Sequence, residues 1–258
     1  MRVSRRLSLA ALLALAAPFV PTAAWAAPLP VSACGKVITT PGSYALTKSL
    51  TCAGTAISIE ATGVKLALMG HTITGPGDDA GAVGIEIGDG DADLTGVSVA
   101  GPGKVTGFGM AVRTFDLHYS RIDGVTLTGN GFGLIVSANG PDLSTGNTFS
   151  NLYVSENEIH GVTFNGVTKS VFVNNHLDFN GGDGLLLYWA TKNVVRGNQL
   201  QDNQDDGIHA EAMFTSGNMI TDNDVLDSGD FDLVDENPVP LNAWFGNVFE
   251  TANRDYIS

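Results

Sequence analysis

The chain has 258 residues, which is enough for one elongated domain or two small ones. Its 27 acidic residues outnumber the 13 lysines and arginines, and the formal charge is −14 at pH 7. Binding to a polyphosphate or to an anionic lipid surface needs clustered cations, so this composition argues against nucleic acid and membrane partners. It argues equally against acidic polysaccharides, unless calcium bridges the two surfaces.

Residues 1–26 have the organisation of a cleaved signal peptide. Arg2, Arg5 and Arg6 precede an apolar run, Leu7 to Ala17, that is too short to anchor in a bilayer. Ala24-Trp25-Ala26 then provides a small-x-small cleavage site. We therefore predict export to a secreted, periplasmic or extracellular location, by either the Sec or the twin-arginine route. Loss of the three arginines changes the formal charge from −14 to −17.

Residues 27–56 are predicted to cap the N-terminal end of the fold. They contain both cysteines of the chain, Cys34 and Cys52. In an oxidising compartment such a pair is predicted to form a disulfide, worth about 3 kcal/mol by the loop-entropy argument. The alternative, a metal site, has no histidine nearby in sequence.

Residues 57–236 carry a repeat whose successive copies start 23 to 28 residues apart, a period typical of solenoids. Each copy opens with an alternating apolar strand and continues through a polar turn, a second short strand and an Asn-rich turn. The strand openings are Ile57–Ile59, Ile85–Ile87, Met110–Val112, Leu134–Val136, Val162–Phe164, Leu185–Leu187, Ile208–Ala210 and Leu233–Asp235. No window of the mature chain sustains the apolar spacing of a helix. The repeat predicts a stack of about eight β-coils.

Asparagines recur in step with the strands. We expect their amides to hydrogen-bond the backbone or an asparagine one coil away. The three predicted columns are Asn147, Ser170, Asn193, Asn218 and Asn242; Asn175, Asn198, Asn223 and Asn247; and Asn157, Asn180 and Asn203. Residues 237–258 are predicted to cap the C-terminal end, because Pro238 and Pro240 remove ladder donors.

Three early segments, Cys34–Ile38, Pro41–Leu46 and Gly70–Gly75, resemble the right-handed parallel β-helix repeat proteins, including the NosD-like and pectin-lyase-like groups. The resemblance covers nearly the whole mature chain. It implies an all-β fold, a single-stranded right-handed parallel β-helix of about eight coils. It implies little about activity, because the group contains polysaccharide lyases, hydrolases, epimerases and proteins of no known activity.

In such folds the substrate lies along the outer face of the first sheet. The outward positions that the alternation predicts include Arg113, Asn165, Tyr188, His209 and Glu211, and Trp189 adds a surface for sugar stacking. The turns before two neighbouring strands supply Asp183 and the pair Asp205-Asp206.

Paired carboxylates are what glycoside hydrolysis needs, and this arrangement resembles that of polygalacturonase-type hydrolases. The Gly-His-Gly and Arg-Ile-Lys motifs of those enzymes are absent. Aspartate before glycine is also ordinary turn chemistry, so a structural role for Asp183, Asp205 and Asp206 stays open.

The sequence therefore predicts a secreted carbohydrate-active protein that cleaves glycosidic bonds, with Asp183, Asp205, Asp206, His209 and Tyr188 as catalytic candidates. Asn165, Glu211, Trp189 and Arg113 are the candidates for sugar contact. One alternative is a non-catalytic glycan-binding or scaffold protein, for which the aspartates only cap turns.

A second alternative is a calcium-assisted polyuronate lyase or epimerase, with Tyr188 and His209 as acid and base. Its calcium ligands would be Asp89, Asp91 and Asp93, although that loop lacks the glycine and distal glutamate of an EF-hand. No other cofactor is predicted.

Overall fold

The computed structural model describes residues 27–77, 81–139, 143–212 and 214–258. The predicted signal peptide, residues 1–26, lies outside the described residues. Within them the chain forms 31 short strands and no α-helix, and every strand pairing is parallel. The molecule is a right-handed parallel β-helix of about nine coils, which confirms the predicted fold class.

The strands of the described residues stack into four sheets, and within each sheet neighbouring strands belong to successive coils. Sheet A contains, in stacking order, Leu29–Val31, Gly42–Leu46, Val64–Ala67, Ser98–Ala100, Arg121–Asp123, Thr148–Ser150, Val171–Val173, Val194–Arg196, Met219–Thr221 and Ala243–Phe245. Sheet B contains Lys36–Ile38, Ile57–Ile59, Val83–Ile87, Met110–Phe115, Phe132–Ser137, Val162–Asn165, Leu185–Tyr188, Ile208–Ala210 and Leu233–Asp235. Sheet C contains Leu50–Thr51, Thr72–Thr74, Lys104–Thr106, Thr126–Thr128, Tyr153–Ser155, His176–Asp178, Gln199–Gln201 and Asp224–Leu226. Sheet D contains Leu94–Thr95, Leu117–His118, Ser144–Thr145 and Val167–Thr168.

The core is a continuous column of apolar side chains enclosed by the sheets. Equivalent residues stack on one another in register, as Leu134, Val162, Leu185 and Ile208 do in sheet B, each fully buried. Each coil therefore buries its apolar face against the coils above and below, and no coil has a separate core.

Buried asparagine ladders line three corners of the helix, as the sequence predicts. Asn193 shows the pattern: its Oδ1 accepts the Ser170 N–H at 2.9 Å, and its Nδ2 donates to Val167 O and Asn218 Oδ1, both at 3.0 Å. The second ladder runs through Asn175, Asn198, Asn223 and Asn247, and the third through Asn130, Asn157, Asn180 and Asn203. These amides satisfy backbone groups in corners where the strand ladder is interrupted.

Both ends of the described chain are tied to the stack. Cys34 and Cys52 form the predicted disulfide, with Cα atoms 5.5 Å apart. At the other end the Asp232 carboxylate accepts N–H groups from Ser228, Glu250 and Thr251. Trp244 is buried and donates its indole N–H to Asp235 at 2.9 Å.

Candidate functional site

The outer face of sheet B presents its side chains in columns, because equivalent residues of successive coils lie side by side. The central column, in stacking order, is Glu86, Arg113, Ile135, Thr163, Leu186, His209 and Val234. On one side lies the column Asn165, Tyr188, Glu211 and Glu236. On the other side, just before the strands begin, lie His160, Asp183, Asp206 and Phe231.

The pre-strand column is a hydrogen-bonded ladder. The Asp183 N–H donates to His160 Nδ1 at 2.9 Å, and the Asp206 N–H donates to Asp183 Oδ1 at 3.1 Å. The Phe231 N–H donates to Asp206 Oδ1 at 3.0 Å. Gly184 follows Asp183 because the coils approach closely at this point: a Cβ on Gly184 would lie 2.7 Å from the Gly207 carbonyl oxygen. One oxygen of each aspartate is thus fixed by the backbone of the next coil.

The second oxygen of each aspartate faces His209. His209 Nδ1 lies 3.5 Å from Asp183 Oδ2 and 3.3 Å from Asp206 Oδ2. Among the described residues, Asp183, Asp206 and His209 are the one group of three metal-ligating side chains whose ligand atoms all lie within 4.8 Å of one another. On its far side His209 Nε2 is 3.4 Å from Glu236 Oε1. A histidine therefore bridges carboxylates from two columns of the same face.

The surroundings of this group raise the pKa of both Asp206 and His209. Burial raises the pKa of Asp206 to about 6, against the lowering effects of the Phe231 N–H and His209, and the negative charge of Asp183 adds to the rise. Burial lowers the pKa of His209, but Asp183, Asp206 and Glu236 outweigh it and raise the pKa to about 9. At neutral pH the site holds a protonated imidazole between acidic side chains.

The same three side chains have the chemistry of a divalent-cation site. A metal would compete with the imidazolium proton, since histidine ligates only in its neutral form. The predicted calcium ligands are arranged differently. Asp89, Asp91 and Asp93 are exposed, and Asp89 Oδ1 accepts the Asp91 N–H at 3.0 Å. Within the described residues these three carboxylates form no group with ligand spacing.

Two connected clefts lie at the opposite end of the same strands. Asn165, Tyr188 and Trp189 line a cleft of ≈ 270 Å³. Trp189 also lines an apolar cleft of ≈ 380 Å³ together with Leu143 and Phe214. The Trp189 ring is 5.7 Å from Tyr188 and 5.4 Å from Phe214, and it is 46 % exposed. Five residues of extended protein chain separate Asp183 from Tyr188, a distance of about 16 Å. One elongated ligand could therefore contact both the aspartate–histidine group and the clefts.

Three of the predicted site residues stand apart from this arrangement. Asp205 is exposed and does not belong to the aspartate–histidine group, although Asp206 does. Arg113 lies in the central column, four coils from His209, forms an ion pair with Glu86 and packs over the Phe115 ring. Glu211 is half-buried one coil beyond Tyr188.

Sequence reasoning missed three residues beside the site. His160 precedes Asp183 by 23 residues, as Asp183 precedes Asp206, so the repeat period alone could have placed it in the column. Glu236 lies at an outward position by strand alternation, but no sequence motif relates it to His209. Phe214 follows a strand in a turn without periodicity, and no sequence signal places it against Trp189.

A family model described as right handed beta helix region matches residues 55–234. The chain belongs to this family. No curated protein matches it in sequence. Within the described residues there is no helix of the length and apolar character needed to cross a membrane.

Several solved β-helix structures are similar at low sequence identity. The Dettilon tailspike protein is 12 % identical with a TM-score of 0.51, over 86 % of this chain and 54 % of the tailspike. DFA-IIIase from Arthrobacter chlorophenolicus A6 in complex with DFA-III is 14 % identical with a TM-score of 0.54, over 82 % of this chain and 65 % of that one. A point mutant of the periplasmic alginate epimerase AlgG is 13 % identical with a TM-score of 0.56, over 85 % and 71 % of the two chains. The chain thus spans less than two thirds of the first two structures, and these likenesses establish the fold.

Proposed function

We propose that this protein is an exported carbohydrate-active enzyme that cleaves glycosidic bonds of an oligosaccharide or polysaccharide on the outer face of sheet B. The observation that carries the proposal is the convergence of Asp183, Asp206 and His209 at one end of strands whose other end carries the aromatic clefts. The Cys34–Cys52 disulfide fits an oxidising location. The alginate epimerase and DFA-IIIase neighbours are consistent with a carbohydrate substrate.

In this proposal Asp206 is the general acid. A carboxyl group whose pKa is raised to about 6 stays largely protonated up to about pH 6, and in that form it can donate its proton to the leaving oxygen of the scissile bond. Asp183 is the partner carboxylate, and its oxygen lies within 4.8 Å of the Asp206 oxygen. So close a pair fits a retaining reaction, in which Asp183 attacks the sugar carbon as the leaving oxygen departs with the Asp206 proton, and water then hydrolyses the glycosyl–Asp183 ester. The His209 imidazolium stabilises the Asp183 charge. Tyr188, Trp189 and Asn165 hold the sugar chain in the adjoining cleft.

The test is Asp206→Asn in the protein without residues 1–26, assayed for reducing-end release on plant, algal and bacterial polysaccharides. Asparagine keeps the oxygen that accepts the Phe231 N–H, so the fold is expected to survive. Turnover is expected to fall by about 100-fold or more, because the proton donor is lost. Asp205→Asn is the matched control, since it removes the same charge from an exposed neighbour. Equal activity of the two variants would refute the assignment.

A non-catalytic glycan-binding protein is the second candidate, and the ladder of Asp183 Oδ1 and Asp206 Oδ1 on backbone N–H groups favours it. For a binding protein the wild type releases no reducing ends from any polysaccharide, yet it is retained on a glycan affinity gel.

The polyuronate lyase or epimerase alternative has less support. Arg113, a positively charged side chain predicted on this face, is already paired with Glu86. Absorbance from unsaturated products, with and without calcium, distinguishes a lyase.

A further inference from the structure

A second polar groove runs across the outer face of sheet C, a different side of the β-helix from the aspartate–histidine group. Two adjoining clefts of ≈ 220 and ≈ 390 Å³ share His176, Gln199 and Asp224 in their walls. Asp178 and Gln201 line the smaller cleft. None of these side chains takes part in the site on sheet B.

A strip of planar side chains from successive coils runs along the groove and continues one coil beyond it to Tyr153. Tyr153, His176 and Gln199 are in register on neighbouring strands of sheet C. The Tyr153 and His176 rings are stacked, with centroids 5.1 Å apart and planes 16° from parallel. His176 Nδ1 and Gln199 Oε1 are 3.1 Å apart, and His176 Nε2 forms an ion pair with Asp178. Tyr153 is 44 % exposed, so one face of the strip is open to solvent.

Two carboxylate oxygens in this groove have no hydrogen-bond partner among the described protein atoms. One is Oδ1 of Asp178, a residue only 5 % exposed, and the other is Oδ1 of Asp224. A buried acceptor without a donor costs free energy that a ligand carrying donors would recover. Burial also raises the pKa of Asp178, although His176 opposes the rise. The two carboxylate oxygens therefore lack donors, although amide side chains such as Gln199 and Gln201 also line the groove.

The spacing and charge of the two carboxylates favour a neutral sugar over a metal ion or an anionic ligand. The strand register separates Asp178 from Asp224 by two coils and two residues, about 11 Å, which is too far for one metal ion to contact both. An anionic ligand would face the charge of both carboxylates. A neutral sugar provides hydroxyl donors for the carboxylates and an apolar ring face for Tyr153.

We propose that the sheet C groove is a second carbohydrate-binding site, non-catalytic and specific for neutral sugars. It is independent of the reaction proposed for sheet B. It would hold a glycan chain against Tyr153, His176 and Gln199, while its carboxylates accept hydrogen bonds from the sugar hydroxyl groups. Such a site keeps the protein attached to a polymeric substrate.

The test measures retention on affinity gels containing dextran, inulin, arabinoxylan or alginate, in the Asp206→Asn background, which prevents turnover. Tyr153→Ala with Gln199→Ala is expected to weaken retention on a neutral glycan by about tenfold. Both side chains have exposed surface, so folding is expected to persist, and melting temperature checks this. Tyr119→Ala is the matched control, since Tyr119 is 69 % exposed and lies away from sheet C, between the strands Leu117–His118 of sheet D and Arg121–Asp123 of sheet A.

A second variant, Asp178→Asn, replaces an acceptor by a donor at nearly constant shape and is expected to weaken retention as well. The proposal is overturned if no neutral glycan retains the protein, if alginate retains it as strongly, or if the groove variants bind like the control. Because these measurements need no catalysis, an inactive wild type would refute the proposed reaction and leave this inference standing.

Discussion

Asp206 and His209 carry protons at pH values where isolated side chains of their kinds do not. The pKa of Asp206 is raised to about 6, chiefly by burial. If its protonated form is the acid, kcat/KM should fall as the pH rises through about 6, because the donor is then ionised. A pH profile of initial rates from pH 4 to 9 measures this. A rate that stays constant between pH 5 and 8 would contradict the assignment.

His209 should also make the free energy of unfolding depend on pH. Its folded pKa of about 9 exceeds its ordinary value of 6.5, so the folded state binds the proton more tightly. This stabilisation is complete below pH 6.5 and is lost as the pH rises from 6.5 to 9, amounting to at most about 3 kcal/mol. Denaturant unfolding across this range should show the loss. His209→Gln should flatten the curve, and an unchanged curve in this variant would contradict the attribution to His209.

Single residues show where sequence reasoning reached its limit. Strict alternation along the strand that opens at Met110–Val112 predicts that Met110 and Val112 face inward and that Arg113 lies in the outer column of Tyr188. The structure buries Ala111, Val112 and Thr114 and aligns Arg113 with Glu86 instead. Two adjacent buried residues break the two-residue period, and a pattern that counts alternation cannot detect this. Likewise, Asp205 and Asp206 are equivalent in sequence, and only the fold of the turn decides which carboxylate meets His209.

At the scale of elements, the asparagine ladders are the part of the architecture that sequence predicts best. They recur at the coil period, and their role follows from the amide chemistry of one side chain. The sheet C groove was not predicted, because Tyr153, His176 and Gln199 differ in type and only their shared register relates them.

Asn193 provides a test of the ladders. Asn193→Ala removes one buried side-chain amide. Its hydrogen bonds with the Ser170 N–H, the Val167 carbonyl and Asn218 Oδ1 are then lost. We expect a loss of about 3 kcal/mol in unfolding free energy, measured by urea denaturation. Asn139→Ala, at an exposed position, should change it by less than about 0.5 kcal/mol. Similar values for the two variants would show that the ladder amides contribute little.

At the scale of the whole molecule, each coil contacts only its neighbours, so coils should be removable as units. Ser170 and Asn193 are equivalent residues 23 positions apart. Deleting residues 170–192 joins Lys169 directly to Asn193. Asn193 then takes the ladder position of Ser170, next to Asn147 of the preceding coil. We expect a folded β-helix one coil shorter, without Asp183 and hence without activity.

Circular dichroism and the denaturant m-value measure the outcome of the deletion. The spectrum should keep its β-sheet shape, and the m-value should fall with the shorter chain. Deleting residues 170–181 instead removes part of a coil and breaks the register of every later strand, so that chain should not fold. If both deletions fold, or neither does, coils are not independent units.

The aspartate ladder has a consequence for how this protein meets its ligand. Asp183 and Asp206 each have one oxygen bound to the backbone of the next coil, so neither carboxylate can swing toward an incoming molecule. There is no hinge between them, because they precede neighbouring strands of the same sheet, sheet B. The site therefore works as a rigid template to which a bound ligand must conform, and the positions of the two carboxylates are set when the chain folds.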